Sequence, residues 1–256
     1  MSFTDTHTHL YVSEFESDID NVVKSCLQND IDRLFLPNID TESINSLISL
    51  SKKYPSNCFP MMGLHPSSVF NDYEAILANM KTLFTQHKFY AVGEIGIDLY
   101  WDKTYLEQQK KAFEIQINWA KEMKLPIVIH VRDSFNEVFE IVDKLNDDSL
   151  TGIFHCFTGT LEQAQHVINY GGFKIGIGGV VTYKTSTLPE ILKNVSLEHI
   201  VLETDSPYLP PVPFRGKRNE SSYIIYVAKK LAEIYETSVD EIARITTENS
   251  RIVFKI

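Results

Sequence analysis

The stretch LPIVIHVRDSFNEVFEIVDKL, residues 125–145, contains a strand pattern followed directly by a helix pattern. Its first part, Pro126 to His130, is a short β-rich run that starts at a proline and ends at a histidine. Its second part spaces apolar residues at i, i+3, i+4 and i+7, the pattern of a helix with one face on a core: Phe135, Val138, Phe139, Val142 and Leu145. This stretch therefore predicts one strand–helix unit with a polar side chain at the end of the strand.

Runs of this kind occur eight times along the chain. The other seven are Ser2 to Thr6, Arg33 to Pro37, Cys58 to Gly63, Tyr90 to Glu94, Gly152 to His155, Phe173 to Gly178 and His199 to Thr204. Helically spaced segments lie between them, for example Ile19, Val22, Val23, Cys26 and Leu27. The alternation predicts an α/β fold, a (β/α)8 TIM barrel in which residues 1–256 form a single domain.

An open, doubly wound sheet is the alternative arrangement of alternating strands and helices. Against it, GEIGID and GIGGVV lack the spacing of a dinucleotide-binding GxGxxG, and the chain has no GxxxxGK[ST]. After the last β-rich run, residues 215–254 predict a basic loop followed by two or three helices, which would complete the outer ring of the barrel.

The composition limits the class of protein. With 24 basic and 34 acidic residues the net charge is −10, so a nucleic-acid substrate would have to be held by local cations or metal ions. No segment approaches the roughly 20 apolar residues that cross a bilayer. There is no secretory signal pattern, so the expected compartment is the cytoplasm, without a membrane or an obligate protein partner. The three cysteines form no CxxC pair, which argues against a disulfide framework and a thiolate zinc site.

The unusual polar residues fall at the ends of the predicted strands. In a barrel these ends form the catalytic mouth. Two of them, His7 and His9, are two residues apart in an extended segment and would project from one face. The seven candidates at or just beyond strand ends are His7, His9, His65, Glu94, His130, His155 and Asp205. The remaining three histidines lie in helical or connecting sequence and are assigned no role.

Imidazoles and carboxylates that converge without thiolates are typical of a catalytic nitrogen and oxygen site for Zn, Mn or Mg. A single residue at a strand end is more readily explained by a helix cap or a loop hydrogen bond, whereas the joint occurrence of these residues favours metal. Six ligands are too many for one tetrahedral ion and suit two divalent ions that share a carboxylate. His65, in GLHP, is the weakest candidate and is expected either in an exposed turn or against a substrate phosphate.

The motifs resemble, in their order, those of the TatD family of metal-dependent deoxyribonucleases within the amidohydrolase-like barrels. They span residues 5 to 220 and are DTHTHL, GLHP, GEIGID, LPIVIHVRDS, GIFHCFTG, GIGGVVTYK and LETDSPYLPPVPFRGKRNE. The resemblance implies that one ion binds His7, His9, Glu94 and Asp205, and that the other binds Glu94, His130 and His155. Glu94 would bridge the two ions. One departure from the family pattern is Ser221, where proline often follows RGKRNE.

Phosphodiester hydrolysis needs an activated water and stabilisation of the phosphoryl oxygens and the leaving alkoxide. Asp205 and Glu94 are the expected catalytic residues. Asp205 is expected to bind metal and to accept the proton of the attacking water, and plain metal ligation is an equally open role for it. Arg215, Lys217 and Arg218 follow the last strand and are candidates for phosphate binding, the alternative being a solvated basic turn.

Arg132 is a second candidate for phosphate binding, unless it pairs with Asp133 or another acid. The aromatic residues Tyr100, Trp101, Tyr183 and Tyr208 also follow strand ends, where they would stack on bases or pack in the core. DNA, as a single strand or a frayed end, is the expected substrate, and the family suggests 3′-to-5′ exonuclease action. The alternative is a small-molecule amidohydrolase, lactonase or phosphoesterase with the same binuclear site.

Two further expectations concern neighbours of the candidate ligands. Cys156 is rejected as a nucleophile, because adjacent residues in a strand face opposite sides and His155 would point inward, so the cysteine is expected to be a small buried residue. Asp5 lies two residues before His7, and is expected to orient one of the imidazoles.

Overall fold

A computed structural model describes residues 2–256, so that Met1, included in the predicted domain, lies outside the described residues. Each of the eight predicted β-rich runs overlaps one strand. These are β1 (Phe3–Asp5), β2 (Ile31–Pro37), β3 (Cys58–Met61), β4 (Val92–Asp98), β5 (Ile127–Arg132), β6 (Gly152–Phe154), β7 (Phe173–Ile177) and β8 (Ile200–Leu202). The fourth strand starts two residues later than predicted and continues past Glu94 to Asp98.

The strands run parallel as two sheets, β1 to β3 and β4 to β8, each in chain order. Backbone hydrogen bonds join the two sheets at both seams. Between β3 and β4, Met62 donates to Ala91 over 3.2 Å. Between β8 and β1, the Thr6 N–H donates to Leu202 over 3.0 Å. The sheet therefore closes on itself, and the predicted parallel eight-stranded α/β barrel is confirmed.

Helices cover the outside of the barrel. They are α1 (Ile19–Gln28), α2 (Ile44–Lys53), α3 (Tyr73–Leu83), α4 (Leu106–Met123), α5 (Phe135–Leu145), α6 (Leu161–Asn169), α7 (Leu188–Leu192), α8 (Ile224–Ile234) and α9 (Val239–Phe254). The predicted apolar stripe of α5 faces the core. In α1 the stripe is right except for Leu27, which is exposed in the last turn. None of the described helices is both long and apolar enough to span a membrane.

The end of α9 fills the base of the barrel. The ring of Phe254 stacks on that of Phe35, with 3.6 Å between the ring centroids. Together they belong to a separate buried cluster: Phe35, Met61, Ala91, Val128, Ile153, Val201, Val253 and Phe254. Strand β1 also contacts α9, so the C-terminal helix closes the barrel from below. The opposite end, where the strands terminate, is left for polar side chains.

Candidate metal centre

His7 and His9 lie on one face because the backbone stays extended beyond the end of β1. Thr8 forms a parallel bridge with Ser206, which carries the strand geometry through both histidines. Their Nε2 atoms are 3.2 Å apart, and both side chains are buried. Each Nε2 faces the same carboxylate oxygen, Oε2 of Glu94, at 3.1 Å from His7 and 3.7 Å from His9. The predicted pair therefore converges on one point.

The carboxylate of Glu94 divides two groups of imidazoles. While Oε2 faces the first-strand pair, Oε1 lies 2.8 Å from Nδ1 of His130, 3.4 Å from Nε2 of His65 and 3.7 Å from Nε2 of His155. Burial would raise the pKa of Glu94, but the surrounding imidazoles hold it well below its usual range. An ionised carboxylate with one oxygen toward each group has the form that a shared ligand requires.

His130 is fixed through both of its ring nitrogens. Nδ1 faces Glu94, and Nε2 lies 2.9 Å from Oδ2 of Asp98, at the end of the same strand as Glu94. Asp98 is buried, and its other carboxylate oxygen accepts the backbone N–H of Tyr100 at 2.9 Å. The sequence analysis missed Asp98. Its signal was present in GEIGID, where the acid is four residues beyond Glu94.

His155 lies between the two groups and contacts a second acid, Glu203, which was not predicted from the sequence. Its ring stacks on that of His7, with 3.4 Å between centroids. Its Nδ1 lies 3.0 Å from Oε1 of Glu203, a fully buried carboxylate that also accepts the backbone N–H of Cys156 at 2.6 Å. Burial would lower the pKa of His155, but Glu203 and Glu94 raise it to about 10. For His7, burial and the neighbouring His155 lower the pKa to about 4.

Asp205 enters the centre from the loop after β8. Its backbone is in the left-handed region, with φ of 57°, and its N–H donates to the carbonyl of His7 over 2.9 Å. Oδ1 lies 3.4 Å from Nε2 of His9 and 3.9 Å from Nε2 of His155. Burial would raise its pKa, but the hydrogen bond with His9 and the histidine charges lower it. The side chain is 14 % exposed, so it belongs both to the ligand cluster and to the open cavity above it.

Asp5 supports the centre differently from what was expected. Its carboxylate accepts the backbone N–H of His7 at 3.3 Å, the backbone N–H of Thr204 at 3.0 Å and the hydroxyl of Thr204 at 2.6 Å. The expectation that it orients an imidazole is therefore wrong, because these contacts are to the backbone and a hydroxyl. Burial raises the pKa of Asp5 to about 7. The contacts tie the first strand to the segment that carries Asp205.

A cavity of about 600 Å³, here called the mouth cavity, opens above the cluster. Of the five residues expected to bind substrate, His65 and Arg132 line it. The guanidinium of Arg215 instead lies over the ring of Tyr183, 3.9 Å from its centroid. Lys217 is exposed in the same loop and is not in the cavity wall.

Arg218 lies away from the mouth cavity. Its two terminal nitrogens donate to the carboxylate oxygens of Asp18 at 2.9 and 2.7 Å, and one of them also donates to Glu220 at 2.9 Å. The expectation that this guanidinium binds phosphate is not supported, because its donors are already paired with acids. Arg218 instead holds the loop after β8 against the segment before α1.

Cys156 is half-buried and lines the mouth cavity, whereas a buried residue on the far side of the strand was expected. The strand ends at Phe154 and Cys156 has a φ of 45°, so strand alternation no longer applies there. Burial and the carboxylates of Asp205 and Glu203 raise the pKa of the thiol well above its usual range. The thiol therefore stays protonated at neutral pH, which agrees with its exclusion as a nucleophile.

The cluster suits a divalent cation better than a set of protons. Nε2 of His7 and Nε2 of His9 lie 3.2 Å apart, and each lies within 3.7 Å of Oε2 of Glu94. When both imidazoles are neutral, only one proton can lie between their two ring nitrogens. Nδ1 of His7, Nδ1 of His155 and Oε2 of Glu203 have no hydrogen-bond partner of good geometry among the described residues, although Nδ1 of His155 lies 3.0 Å from Oε1 of Glu203. The nitrogen and oxygen donors around Glu94 match Zn, Mn or Mg, and the thiol of Cys156 lies within 4.8 Å of ligand atoms of His155 and Asp205. The residues present therefore fit a catalytic metal centre.

Comparisons with known proteins agree with this chemistry. A model of the TatD related DNase family matches residues 4–255. An uncharacterized metal-dependent hydrolase of Bacillus subtilis, YabD, is 38% identical over 253 residues, which cover 98% of each chain.

Solved structures show the same fold. The crystal structure of YjjV, a TatD homolog from Escherichia coli, has a TM-score of 0.91 at 27% identity and covers 99% of this chain and 98% of its own. A TatD family hydrolase from Entamoeba histolytica has a TM-score of 0.85 at 24% identity over 99% of this chain and 98% of its own, a likeness of fold alone. The chain belongs to the TatD family of metal-dependent hydrolases.

Proposed function

We propose that this protein is a deoxyribonuclease that removes nucleotides from the 3′ end of single-stranded or frayed DNA. The observation that carries the proposal is that the two carboxylate oxygens of Glu94 face separate groups of imidazoles at the floor of an open cavity. A shared carboxylate is the arrangement needed to hold two divalent ions side by side.

The proposed ligand sets are those that the TatD resemblance implies, and the contacts of Glu94 with imidazoles on both sides support them, although Nε2 of His65 lies closer to Oε1 of Glu94 (3.4 Å) than Nε2 of His155 does (3.7 Å). His7, His9, Glu94 and Asp205 would hold one ion, and Glu94, His130 and His155 the other, with Mg, Mn or Zn as the candidate metals. Such ions, when bound, lower the pKa of a water molecule and neutralise charge on the attacking and leaving oxygens of a phosphodiester. The protein must hold the donor side chains in fixed orientations. Asp98 contacts the ring of His130, and Glu203 contacts the ring of His155.

Asp205 is the residue proposed to take the proton of the attacking water. Its carboxylate is ionised, lies at the edge of the cluster and is partly open to the mouth cavity. His65 lies 3.2 Å from His130 and also lines this cavity, where it would contact the substrate phosphate. Glu94 contributes to catalysis as the bridging ligand.

The walls of the mouth cavity support a nucleotide as the substrate. Its volume of about 600 Å³ is within the range of small-molecule sites, which is roughly 300 to 1,000 Å³. Arg132 supplies a cation, and Trp101 and Tyr208 supply aromatic faces on which a base can stack. With a net charge of −10 the chain is poorly suited to holding a long duplex, which favours a chain end.

The test is to strip metal from the purified protein, restore Mg, Mn or Zn singly, and supply single-stranded DNA labelled at either end. The expected result is release of mononucleotides from the 3′ end with at least one ion. Replacing Asp205 with Asn should leave a folded protein whose kcat is at least about 100-fold lower. Asp148→Asn, at an exposed acid, is the matched control.

Two outcomes would contradict the proposal. Full activity of the Asp205→Asn protein would remove Asp205 from proton transfer. If no ion supports release of nucleotides and the loaded protein instead hydrolyses a panel of lactones, amides or small phosphate esters, the alternative function as a small-molecule hydrolase replaces the nuclease.

A further inference from the structure

A second cavity, here called the side cavity, adjoins the mouth cavity. Its volume is about 870 Å³, and it lies between the starts of α5 and α6. The two cavities share Val131, Arg132 and Thr158 in their walls. The shared wall residues place the two cavities side by side, so a ligand longer than one nucleotide that passed over them would reach the side cavity from the metal centre.

The lining of the side cavity suits a base and a sugar better than a phosphate alone. Phe135, Leu161 and Ile191 provide apolar walls, and Asn136 and Thr187 add an amide and a hydroxyl. The charged residues in the lining are Arg132, Asp133 and Glu137, so the acids exceed the cation by one. Mixed walls of this kind accept a flat polar ring, whereas a second phosphate placed deep among the acids would be repelled.

Arg132 marks the border between the two cavities. Its guanidinium lies 3.8 Å from the centroid of the Tyr100 ring and 5.4 Å from that of Trp101. These rings are 53% and 73% exposed, so that aromatic surface faces solvent beside a fixed cation. Within the part of the chain that the structure describes, Arg132 forms no ion pair, which leaves its donors free for an anion. The alternative that it pairs with Asp133 is not supported.

The geometry points to a binding site for the penultimate nucleotide of the DNA chain in the side cavity. Arg132 contacts the backbone oxygens where the strand passes from one cavity to the other, and the neighbouring aromatic rings stack against a base. This inference rests on the proposed nuclease function and adds to it the place where the nucleotide on the other side of the scissile bond binds. Double-stranded DNA would have to be opened at its end before two successive nucleotides could enter.

The test compares substrates that reach only the mouth cavity with substrates that reach both. Thymidine 5′-(p-nitrophenyl phosphate) has one nucleoside and a chromogenic leaving group, and a thymidine dinucleotide and tetranucleotide extend further. Asn136→Trp fills the side cavity from the second residue of α5. Asn21→Trp, at an exposed site in the first turn of α1, is the matched control.

The quantity compared is the ratio of kcat/KM for the linked nucleotides to kcat/KM for the chromogenic ester, because p-nitrophenolate is the better leaving group and the absolute values are not comparable. In Asn136→Trp the ratio of the two values should fall at least fivefold, and in Asn21→Trp it should stay within twofold. A direct binding measurement uses a phosphorothioate-linked thymidine dinucleotide and the fluorescence of Trp101, with Trp101→Phe as the optical control. Arg132→Met should weaken this binding at least fivefold.

The outcomes separate the inference from the proposed function. If the parent hydrolyses the chromogenic ester and DNA but the ratio is the same in Asn136→Trp, the nuclease stands and the side cavity is not a nucleotide site. A parallel loss on all substrates would also overturn the inference, since filling the side cavity would then not discriminate between the linked nucleotides and the chromogenic ester. If the parent hydrolyses neither DNA nor the ester with any ion, the proposed function and the inference fail together.

Discussion

Replacing Glu203 with Gln keeps the shape of the side chain and removes a fully buried negative charge. The carboxylate lies 3.0 Å from Nδ1 of His155, whose Nε2 faces Glu94 at 3.7 Å. Carboxylates that hold a ligating imidazole in this way typically contribute 10- to 100-fold in metal affinity. Because this contact is excluded from water, we expect the upper part of that range, equivalent to about 2 to 3 kcal/mol.

The Glu203→Gln substitution should also change the number of protons that are released when metal binds. In the metal-free protein burial lowers the pKa of His155, but Glu203 and Glu94 raise it to about 10, so the ring is charged at pH 8 and loses a proton when metal binds Nε2. Metal affinity should therefore rise with pH from 7 to 10. Without the Glu203 charge, burial is opposed only by Glu94 and Asp205, so the pKa of His155 should fall and fewer protons should be released at pH 8.

Two measurements check this reasoning. Competition with a chromogenic chelator gives the affinity for Mn or Zn, and calorimetry in buffers with different ionisation enthalpies counts the protons released. Glu42→Gln, at an exposed carboxylate, is the matched control. An affinity within twofold of the parent, together with an unchanged proton count at pH 8, would refute the role of Glu203 as the partner of His155.

Three further predictions concern the support of the centre. A Cβ on Gly176 would lie 2.3 Å from Oε2 of Glu203, so Gly176→Ala should destabilise the fold by about 1 to 3 kcal/mol and weaken metal binding. The control is Gly178→Ala, whose Cβ would lie at least 3.5 Å from its nearest neighbour and should change neither property. Urea unfolding and metal titration measure the two properties, and equal behaviour of the two variants would contradict the prediction. Saturation of the stripped protein with metal at 100 times Kd should add about 2.7 kcal/mol and raise Tm by roughly 5 to 10 °C, and an unchanged Tm would argue against a preformed site. Arg218→Met should cost up to about 1 kcal/mol of stability and leave KM for DNA unchanged, because the ion pair is partly exposed and Arg218 does not line the mouth cavity. A raised KM would restore its role in phosphate binding.

The barrel could be predicted from the sequence because its two signals are local. Each strand is a short β-rich run, and each core-facing helix repeats its apolar residues at fixed spacing, as in residues 125–145. The ends of strands were harder to place, since β4 continues four residues beyond its predicted end at Glu94. That extension brings Asp98 into contact with His130, which a strand ending at Glu94 would not have indicated.

The roles of the residues around the candidate ligands depend on long-range contacts, which the spacing of residues along the sequence does not reveal. Glu203 reaches His155 only because Gly176, on the neighbouring strand, leaves room for its carboxylate. Arg218 pairs with Asp18, 200 residues earlier, so a basic run in a loop looked the same whether it served phosphate or a salt bridge. Cys156 left the strand pattern through a positive φ, a backbone feature with no signal in its side chain.

The metal centre can be completed during translation only after β8 has been synthesised and has paired with β1. His7 and His9 leave the ribosome about 200 residues before Asp205 and Thr204, which Asp5 holds in place. Glu94, His130 and His155 follow in turn, and Asp205 is the last of the proposed ligands to be synthesised. A metal captured before that point would lack Asp205 and the closed barrel, so loading of the full centre must follow closure. Chains that terminate before β8 would compete for metal without gaining the folded site.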